Sequence, residues 1–273
     1  MSRIAGRFEQ LAEQGRKALI PYIVVGDPSP ERTVGLMHRL VAAGADVIEL
    51  GVPFSDPMSE GPVIQLAHER ALANGASLRT AIDTVREFRT QDNETPVLLM
   101  GYANPVERMG YDVFAETASA AGVDALLTVD IPPEEVDNVK RELGRFEMDN
   151  ILLVAPTTPE ERVERIAAQA SGFVYYVSLK GVTGSANLDI AEVAEKLAMI
   201  RRHTDLPLGV GFGIKDAPSA RSVAAVADGV IVGSALIRAM TDRIEAGDNI
   251  AAAEQAAIDL LEEIREGIDS ASS

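Results

Sequence analysis

The 273-residue sequence contains no cysteine. This absence excludes disulfide bonds, thiolate nucleophiles and cysteine-bound metal ions. Long apolar runs are also missing: the most apolar stretch, 223–232, is interrupted by Asp228, so no membrane-spanning helix is predicted. The N-terminal segment alternates charged with apolar residues and lacks the apolar core of a signal peptide. We therefore expect a cytoplasmic protein.

Positive charge is scarce as well. The chain has 25 lysine and arginine residues against 42 aspartate and glutamate residues, a net charge of −17. This balance argues against a nucleic-acid partner, which needs a basic face. Only five of the basic residues are lysines. An acid excess with few lysines suits a protein that is soluble in concentrated salt, which screens charge repulsion within about 3 Å at 1 M. The alternative is an acidic protein with no salt requirement.

Eight strand-like segments, each followed by a helical pattern, run through the chain. Hydrophobic residues make up 47% of it, enough for a large core. The strands are predicted at 18–25, 47–50, 96–101, 125–129, 151–155, 173–178, 208–211 and 229–232. The helices are predicted at 30–43, 63–74, 77–90, 113–121, 134–143, 159–170, 189–202 and 217–226, with a last helical run from the eighth strand almost to the end.

This alternation decides the predicted fold. Strands that alternate with helices indicate a parallel sheet, and eight such units at this length predict a (β/α)8 TIM barrel. We expect residues 1–273 to form a single barrel domain, with an extra N-terminal helix at 4–11 that caps the bottom. A doubly wound open sheet is the alternative, but the first strand–helix turn, 26–28, lacks the glycine fingerprint of dinucleotide-binding sheets.

Three acids cluster at the end of the second strand. Glu49 lies inside an apolar strand and points to the same face as Val47, since side chains alternate along a strand. A carboxylate in such a place must be protonated, paired or functional. Asp56 and Glu60 follow on the next loop. Carboxyl groups in different surroundings are typical of general acid–base catalysis.

Glycines follow the last three strands, at 181–184, 211–213 and 233–234. Glycine lets a backbone approach an anion, and a helix N-terminus directs N–H groups towards it. Barrels commonly bind phosphate after strands seven and eight. The sequence therefore predicts a phosphorylated small-molecule substrate whose other end undergoes proton transfer by the acids across the barrel mouth.

Six motifs carry a resemblance to a known family. They are PYIVVGDP at 21–28, ELGVPFSDP at 49–57, GYANP at 101–105, YYVSLKGVTG at 175–184, GVGFGI at 209–214 and VGSALI at 232–237. In order and spacing they resemble the tryptophan synthase α subunit family over nearly the whole chain. The resemblance implies a lyase of tryptophan biosynthesis that cleaves indole-3-glycerol phosphate to indole and glyceraldehyde 3-phosphate by a retro-aldol reaction. It also implies an αββα assembly with a β subunit that holds pyridoxal phosphate, and no cofactor in this chain.

The resemblance also assigns residues. Glu49 matches the family's catalytic glutamate, which serves the protonation of indole C3, the removal of the glycerol hydroxyl proton, or both. Burial is expected to raise its pKa and help it donate a proton near neutral pH. Substrate contacts are expected at Tyr22, Ile64, Met100, Tyr102, Leu127, Tyr175, Thr183 and Phe212. Phosphate contacts are expected at Gly184, Gly213, Gly233 and Ser234, with no metal site. Barrel core is the alternative for Ile64, Met100, Leu127 and Phe212.

Glu60 departs from the family pattern, which usually has aspartate before Gly-Pro. Its carboxylate is expected to accept the indole N–H bond and stabilise positive charge on that nitrogen. The alternative is that Glu60 is a solvated charge on the loop and that Asp56 has a larger catalytic role than usual. Tyr22 also stands where the family usually has phenylalanine.

Two other functions stay open. One is a catalytically weak α-like allosteric partner of a β subunit, which Glu60 alone favours. The other is a different phosphate-binding barrel enzyme, which would call for a different set of acids and lysines at the strand ends. No predicted strand contains a lysine.

Overall fold

Eight parallel strands form a closed barrel in the computed structural model, which describes residues 2–177, 189–211 and 213–271. The strands are β1 (Ala18–Val24), β2 (Ile48–Gly51), β3 (Val97–Gly101), β4 (Ala125–Thr128), β5 (Asp149–Val154), β6 (Val174–Val177), β7 (Leu208–Gly211) and β8 (Gly229–Val232). Each strand pairs with its neighbours in chain order, and β1 pairs with β8 to close the ring. The predicted (β/α)8 barrel is confirmed.

Twelve α-helices lie around and below the barrel in the described part of the chain. They are α1 (Arg3–Glu13), α2 (Thr33–Ala42), α3 (Pro62–Ala73), α4 (Leu78–Phe88), α5 (Ala103–Met109), α6 (Tyr111–Ala121), α7 (Asp137–Gly144), α8 (Glu160–Gln169), α9 (Ile190–Ile200), α10 (Ala217–Ala224), α11 (Ser234–Glu245) and α12 (Ile250–Asp269). Most bounds fall within three residues of the prediction. No helix formed by the described residues is long and apolar enough to cross a bilayer.

The sequence prediction misses two features of the helices. The segment after β3, where no helix is predicted, forms the short helix α5, in which Pro105 occupies the third position. Proline is tolerated in a first helical turn, where its missing N–H costs nothing. The C-terminal helical run is divided into α11 and α12 by Gly247, whose φ is +87°. The side chain of Asn249 then caps α12.

The extra helix α1 closes the bottom of the barrel, as predicted. Ile4, Phe8 and Leu11 are buried with the residues of the barrel interior. Ser2 caps the helix and also donates a hydrogen bond of 2.5 Å to Asp149, at the start of β5. These contacts leave the opposite end of the barrel, where the strands finish, as the open mouth.

Alternation along β2 separates its side chains between two cores. Ile48 and Leu50 pack in the layer between the barrel and its helices. Val47 lies in the barrel interior, and Glu49 faces the same way. The carboxyl group of Glu49 is consequently carried inside the barrel, with 1% of the residue exposed.

Candidate active site

A cavity opens at the mouth of the barrel, where the carboxyl ends of the strands meet. It combines both predicted catalytic acids with apolar, aromatic and glycine positions. Its lining residues are Tyr22, Glu49, Glu60, Ile64, Met100, Tyr175, Gly213, Ile214, Ile231, Gly233 and Ser234. Strands β1, β2, β3, β6 and β8 each contribute, so the site depends on the closed barrel.

Glu49 is the most unusual group in this cavity. Both of its carboxyl oxygens are buried and have no hydrogen-bond partner among the described residues. Burial first, and then the nearby charge of Glu60, raise the pKa of Glu49 to about 8. A buried carboxyl with this pKa holds its proton near neutral pH, as a general acid requires.

Glu60 lies inside the cavity, whereas Asp56 is exposed on the same loop. Burial raises the pKa of Glu60 to about 7. Its backbone is fixed because Gln65 Nε2 donates to Glu60 O at 2.8 Å. The side chain of Asp56 instead accepts a hydrogen bond from Ser55 Oγ at 2.6 Å. The arrangement therefore favours Glu60 over Asp56 as the second acid.

The β2α3 loop, residues 52–61, is held in place by two side chains from outside it. Tyr102 Oη accepts a hydrogen bond from Ser59 N–H at 3.1 Å, and its ring stacks on Phe54 at 4.9 Å between centroids. His68 Nδ1 accepts a hydrogen bond from Phe54 N–H at 3.0 Å. Tyr102 thus contacts the loop that carries Glu60 and is not among the cavity-lining residues, although a substrate contact was predicted for it.

Two tyrosines place their hydroxyl groups against strand glycines. A methyl group at Gly51 would lie 2.7 Å from Tyr22 Cζ, and one at Gly211 would lie 2.7 Å from Tyr175 Cε1. Only glycine fits at these positions without moving the rings. The pKa of each tyrosine is raised well above its usual value by burial and then by the charges of Glu60 and Glu49. Both hydroxyl groups therefore stay protonated beside the acids.

The predicted phosphate end lies at the N-terminus of α11. No side chain caps this helix, and its first turn contains no acid. Ser234 is exposed to the cavity, and Gly213 has φ +78°, a conformation that favours glycine. A methyl group at Gly233 would press on Tyr22 Cβ at 3.2 Å. Gly184, Thr183 and Phe212 lie outside the described residues.

A second cavity adjoins the first at Glu60, Met100 and Tyr175 and has a volume of about 440 Å³. Its apolar wall comes mainly from the ends of β4, β5 and β6. Sequence reasoning missed the wall residues Thr128, Val129, Leu153 and Val177 here, and Ile214 and Ile231 in the first cavity. These residues could have been predicted from their inward-facing positions near the ends of the strands. The predicted contact Leu127 is instead fully buried barrel core.

The described residues contain no set of side chains that could bind a metal ion. No group of three or more histidine, aspartate or glutamate side chains there is arranged to hold a metal ion. His68 is buried, and both of its nitrogens lie within hydrogen-bond distance of protein groups. The mouth of the barrel brings together two carboxyl groups, two tyrosines and a helix N-terminus.

Comparison with known proteins identifies the family. The family model described as tryptophan synthase alpha chain matches residues 8–267. The tryptophan synthase alpha chain of Thioalkalivibrio sulfidiphilus is 60% identical, covering 98% of this chain and 100% of that protein. That of Marinobacter nauticus is 57% identical, covering 99% of both. The crystal structure of tryptophan synthase subunit alpha from Legionella pneumophila has a TM-score of 0.90 at 47% identity, covering 99% of each chain. The chain therefore belongs to the tryptophan synthase alpha chain family.

Proposed function

We propose that the cavity at the barrel mouth cleaves indole-3-glycerol phosphate, with Glu49 and Glu60 as its two acid–base groups. The observation that carries this proposal is the pair of buried carboxyl groups in one cavity, which an uncapped helix N-terminus also lines. The family's lyase reaction breaks the bond between indole C3 and the glycerol chain. It releases indole and glyceraldehyde 3-phosphate.

Glu49 acts in both proton transfers. In its protonated form it donates a proton to indole C3, which places positive charge on the indole nitrogen. The resulting carboxylate then removes the proton from the glycerol hydroxyl as the carbon–carbon bond breaks and its electrons return to the ring. Glu49 ends the cycle protonated, so no outside acid or base is consumed. Its pKa of about 8 suits it to begin as an acid.

Glu60 stays negatively charged through the cycle. Its carboxylate accepts the hydrogen bond of the indole N–H and stabilises the positive charge formed there. With a pKa of about 7, Glu60 ionises before Glu49 as the pH rises. The two similar groups can therefore hold opposite protonation states, which is the condition that acid–base catalysis by a carboxyl pair requires.

The substrate phosphate binds at the N-terminus of α11, beside Gly213, Gly233 and Ser234. The N-terminus of a helix carries roughly half a positive charge and directs free N–H groups outwards. Neither a capping side chain nor an acid of the first turn competes for this position. Gly184 and Thr183, on the sixth loop, complete the site in our proposal.

Ser234→Glu is expected to weaken binding of glycerol 3-phosphate by more than about tenfold. The added carboxylate would stand at the helix N-terminus and repel the phosphate. Ser234→Gln is the matched control, because it has nearly the same size without the charge, and a much smaller loss is expected. Isothermal titration calorimetry measures both affinities. Equal losses in the two variants would show that the phosphate binds elsewhere.

The proposed assembly of the enzyme and its lack of a cofactor follow from its family. The alpha chain of tryptophan synthase carries no cofactor and assembles with a β subunit, which holds pyridoxal phosphate. We propose an αββα assembly in the cytoplasm, in which residues 1–273 act as a single domain.

The proposed activity is tested by mixing the protein with indole-3-glycerol phosphate, with and without a β subunit. Formation of glyceraldehyde 3-phosphate is the readout, because a β subunit consumes indole. We expect turnover by the chain alone and faster turnover in the assembly. No turnover in either, together with stimulation of the β subunit, would instead establish an allosteric partner without chemistry of its own.

A further inference from the structure

Tyr22 and His68 form a buried hydrogen-bonded pair beside the candidate acids. Tyr22 Oη and His68 Nε2 are 3.2 Å apart. Tyr22 is 3% exposed and His68 is 2% exposed. His68 lies on α3, directly after the loop that carries Glu60, whereas Tyr22 lies on β1. The pair therefore joins the barrel wall to the β2α3 loop.

The direction of this hydrogen bond follows from the other nitrogen of His68. Phe54 N–H donates to Nδ1 at 3.0 Å, so Nδ1 has a lone pair and no hydrogen. Burial lowers the pKa of His68 to about 4, so the ring is neutral near pH 7. A neutral imidazole carries one N–H, which here must be on Nε2. His68 therefore donates to Tyr22 Oη.

The hydroxyl hydrogen of Tyr22 is then left for another acceptor. The hydrogen bonds of the described residues provide none for it. The hydroxyl lies against Gly51, two residues beyond Glu49 on the same face of β2, and Tyr22 is paired with Glu49 in the sheet. The carboxyl oxygens of Glu49 are buried without a partner. Tyr22 and Glu49 line the same cavity, so an unassigned donor and two unassigned acceptors share it.

We propose that Tyr22 is a positioning residue whose hydroxyl, oriented by His68, donates a hydrogen bond to the Glu49 carboxylate that forms when Glu49 gives up its proton. This inference rests on the proposed function, since Glu49 must ionise during the reaction. A donor fixed in advance where charge develops stabilises the ionised state at little cost in reorganisation. Because Phe54 belongs to the β2α3 loop, the orientation of the hydroxyl depends on the loop being seated.

The first test is the pKa of Glu49, measured by carboxyl ¹³C NMR titration of the full chain. Tyr22→Phe is expected to raise this pKa by roughly one unit, because it removes a hydrogen bond to the charged form. Tyr176→Phe is the matched control, since Tyr176 is buried on the face of β6 opposite Tyr175 and does not line the cavity. An unchanged Glu49 pKa in Tyr22→Phe overturns the proposal.

The second test asks whether His68 acts through Tyr22. In wild type, His68→Leu is expected to raise the Glu49 pKa in the same direction. In a Tyr22→Phe background it should add almost nothing. Additive effects of the two substitutions on the Glu49 pKa would overturn the proposal that His68 acts on Glu49 through Tyr22. Imidazole ¹⁵N NMR gives an independent check: we expect hydrogen on Nε2, and hydrogen on Nδ1 would contradict the proposal.

Kinetics separate this inference from the proposed function. Tyr22→Phe should lower kcat for cleavage roughly tenfold, the effect of losing one hydrogen bond to a charged group, with KM unchanged. A raised KM with unchanged kcat would make Tyr22 a substrate contact only and overturn the inference. If wild type fails to cleave the substrate, the proposed function fails, and the Glu49 pKa and His68 tautomer still decide whether the pair acts on Glu49.

Discussion

Glu49→Gln is expected to abolish cleavage while leaving the fold intact. The amide keeps the shape of the carboxyl group but can neither donate nor accept the proton. Loss of one general acid–base group typically costs roughly 10²–10⁴-fold, and Glu49 is proposed to serve both transfers. The rate of glyceraldehyde 3-phosphate formation and the far-UV circular dichroism spectrum are measured on the same sample. Wild-type turnover by a folded variant would remove Glu49 from the mechanism.

The same substitution should also stabilise the protein at alkaline pH. The pKa of Glu49 rises from 4.5 to about 8 on folding. Between these values the folded protein holds a proton that the unfolded chain has released, so wild-type stability falls as the pH rises through that window. Above pH 8 the whole penalty applies, roughly several kcal/mol for a shift of this size. Glutamine carries no charge and avoids it.

Urea unfolding near pH 4.5 and above pH 8 measures this difference. We expect Glu49→Gln and wild type to have similar free energies of unfolding at the lower pH and the variant to be more stable at the higher one. A variant less stable than wild type at alkaline pH would mean that the charged Glu49 carboxylate is well stabilised where it lies. That result would contradict the unpaired, buried state seen in the structure.

Glu60→Gln is expected to lose most of the cleavage rate, and Glu60→Asp to keep a substantial part of it. Glutamine cannot stabilise positive charge on the indole nitrogen. Aspartate keeps the charge but withdraws it by about one carbon–carbon bond, roughly 1.5 Å. A displacement of that size can cost on the order of 10²-fold without compensation. Because the charge itself is retained, part of the rate is expected to remain.

Steady-state formation of glyceraldehyde 3-phosphate at saturating β subunit compares these variants. Asp56→Asn is the matched control, because Asp56 belongs to the same loop but is exposed. We expect that control to retain nearly all of the wild-type rate. If Glu60→Gln turned over like wild type while Asp56→Asn did not, the second acid would be Asp56.

The barrel could be predicted from sequence because short apolar strand segments alternate with helical patterns eight times along the chain. Alternation along one strand predicted that Glu49 and Val47 share a face, and the structure shows that this face is the barrel interior. The Tyr22–His68 pair could not be found in this way, because 46 residues separate its members and the packing of α3 against β1 brings them together. Tyr102 shows the same limit: its position after β3 was clear, but its bond to Ser59 depends on how the β2α3 loop folds.

The predicted apolar substrate contacts differ in whether they reach the cavity, and the difference has a physical reason. Met100 and Leu127 are both apolar strand residues near the barrel mouth. Met100 lies at the cavity, whereas Leu127 is covered by its neighbours. Which inward side chain reaches open space depends on the depth of each strand end, and the sequence pattern does not contain that information. Thr183, Gly184 and Phe212 stay predictions.

The pH dependence of kcat/KM for cleavage tests the central claim most directly, namely that Glu49 acts protonated while Glu60 acts ionised. We predict a bell-shaped profile with limbs near pH 7 and pH 8. Because Glu49 and Glu60 interact, these two apparent pKa values belong to the pair of carboxyl groups together. The substrate phosphate also titrates, with a second pKa of about 6, so Glu60→Gln is measured alongside. This variant should lose the limb near pH 7, and its upper limb should move to lower pH because the charge of Glu60 no longer raises the pKa of Glu49. Limbs that are unchanged in Glu60→Gln would contradict the account.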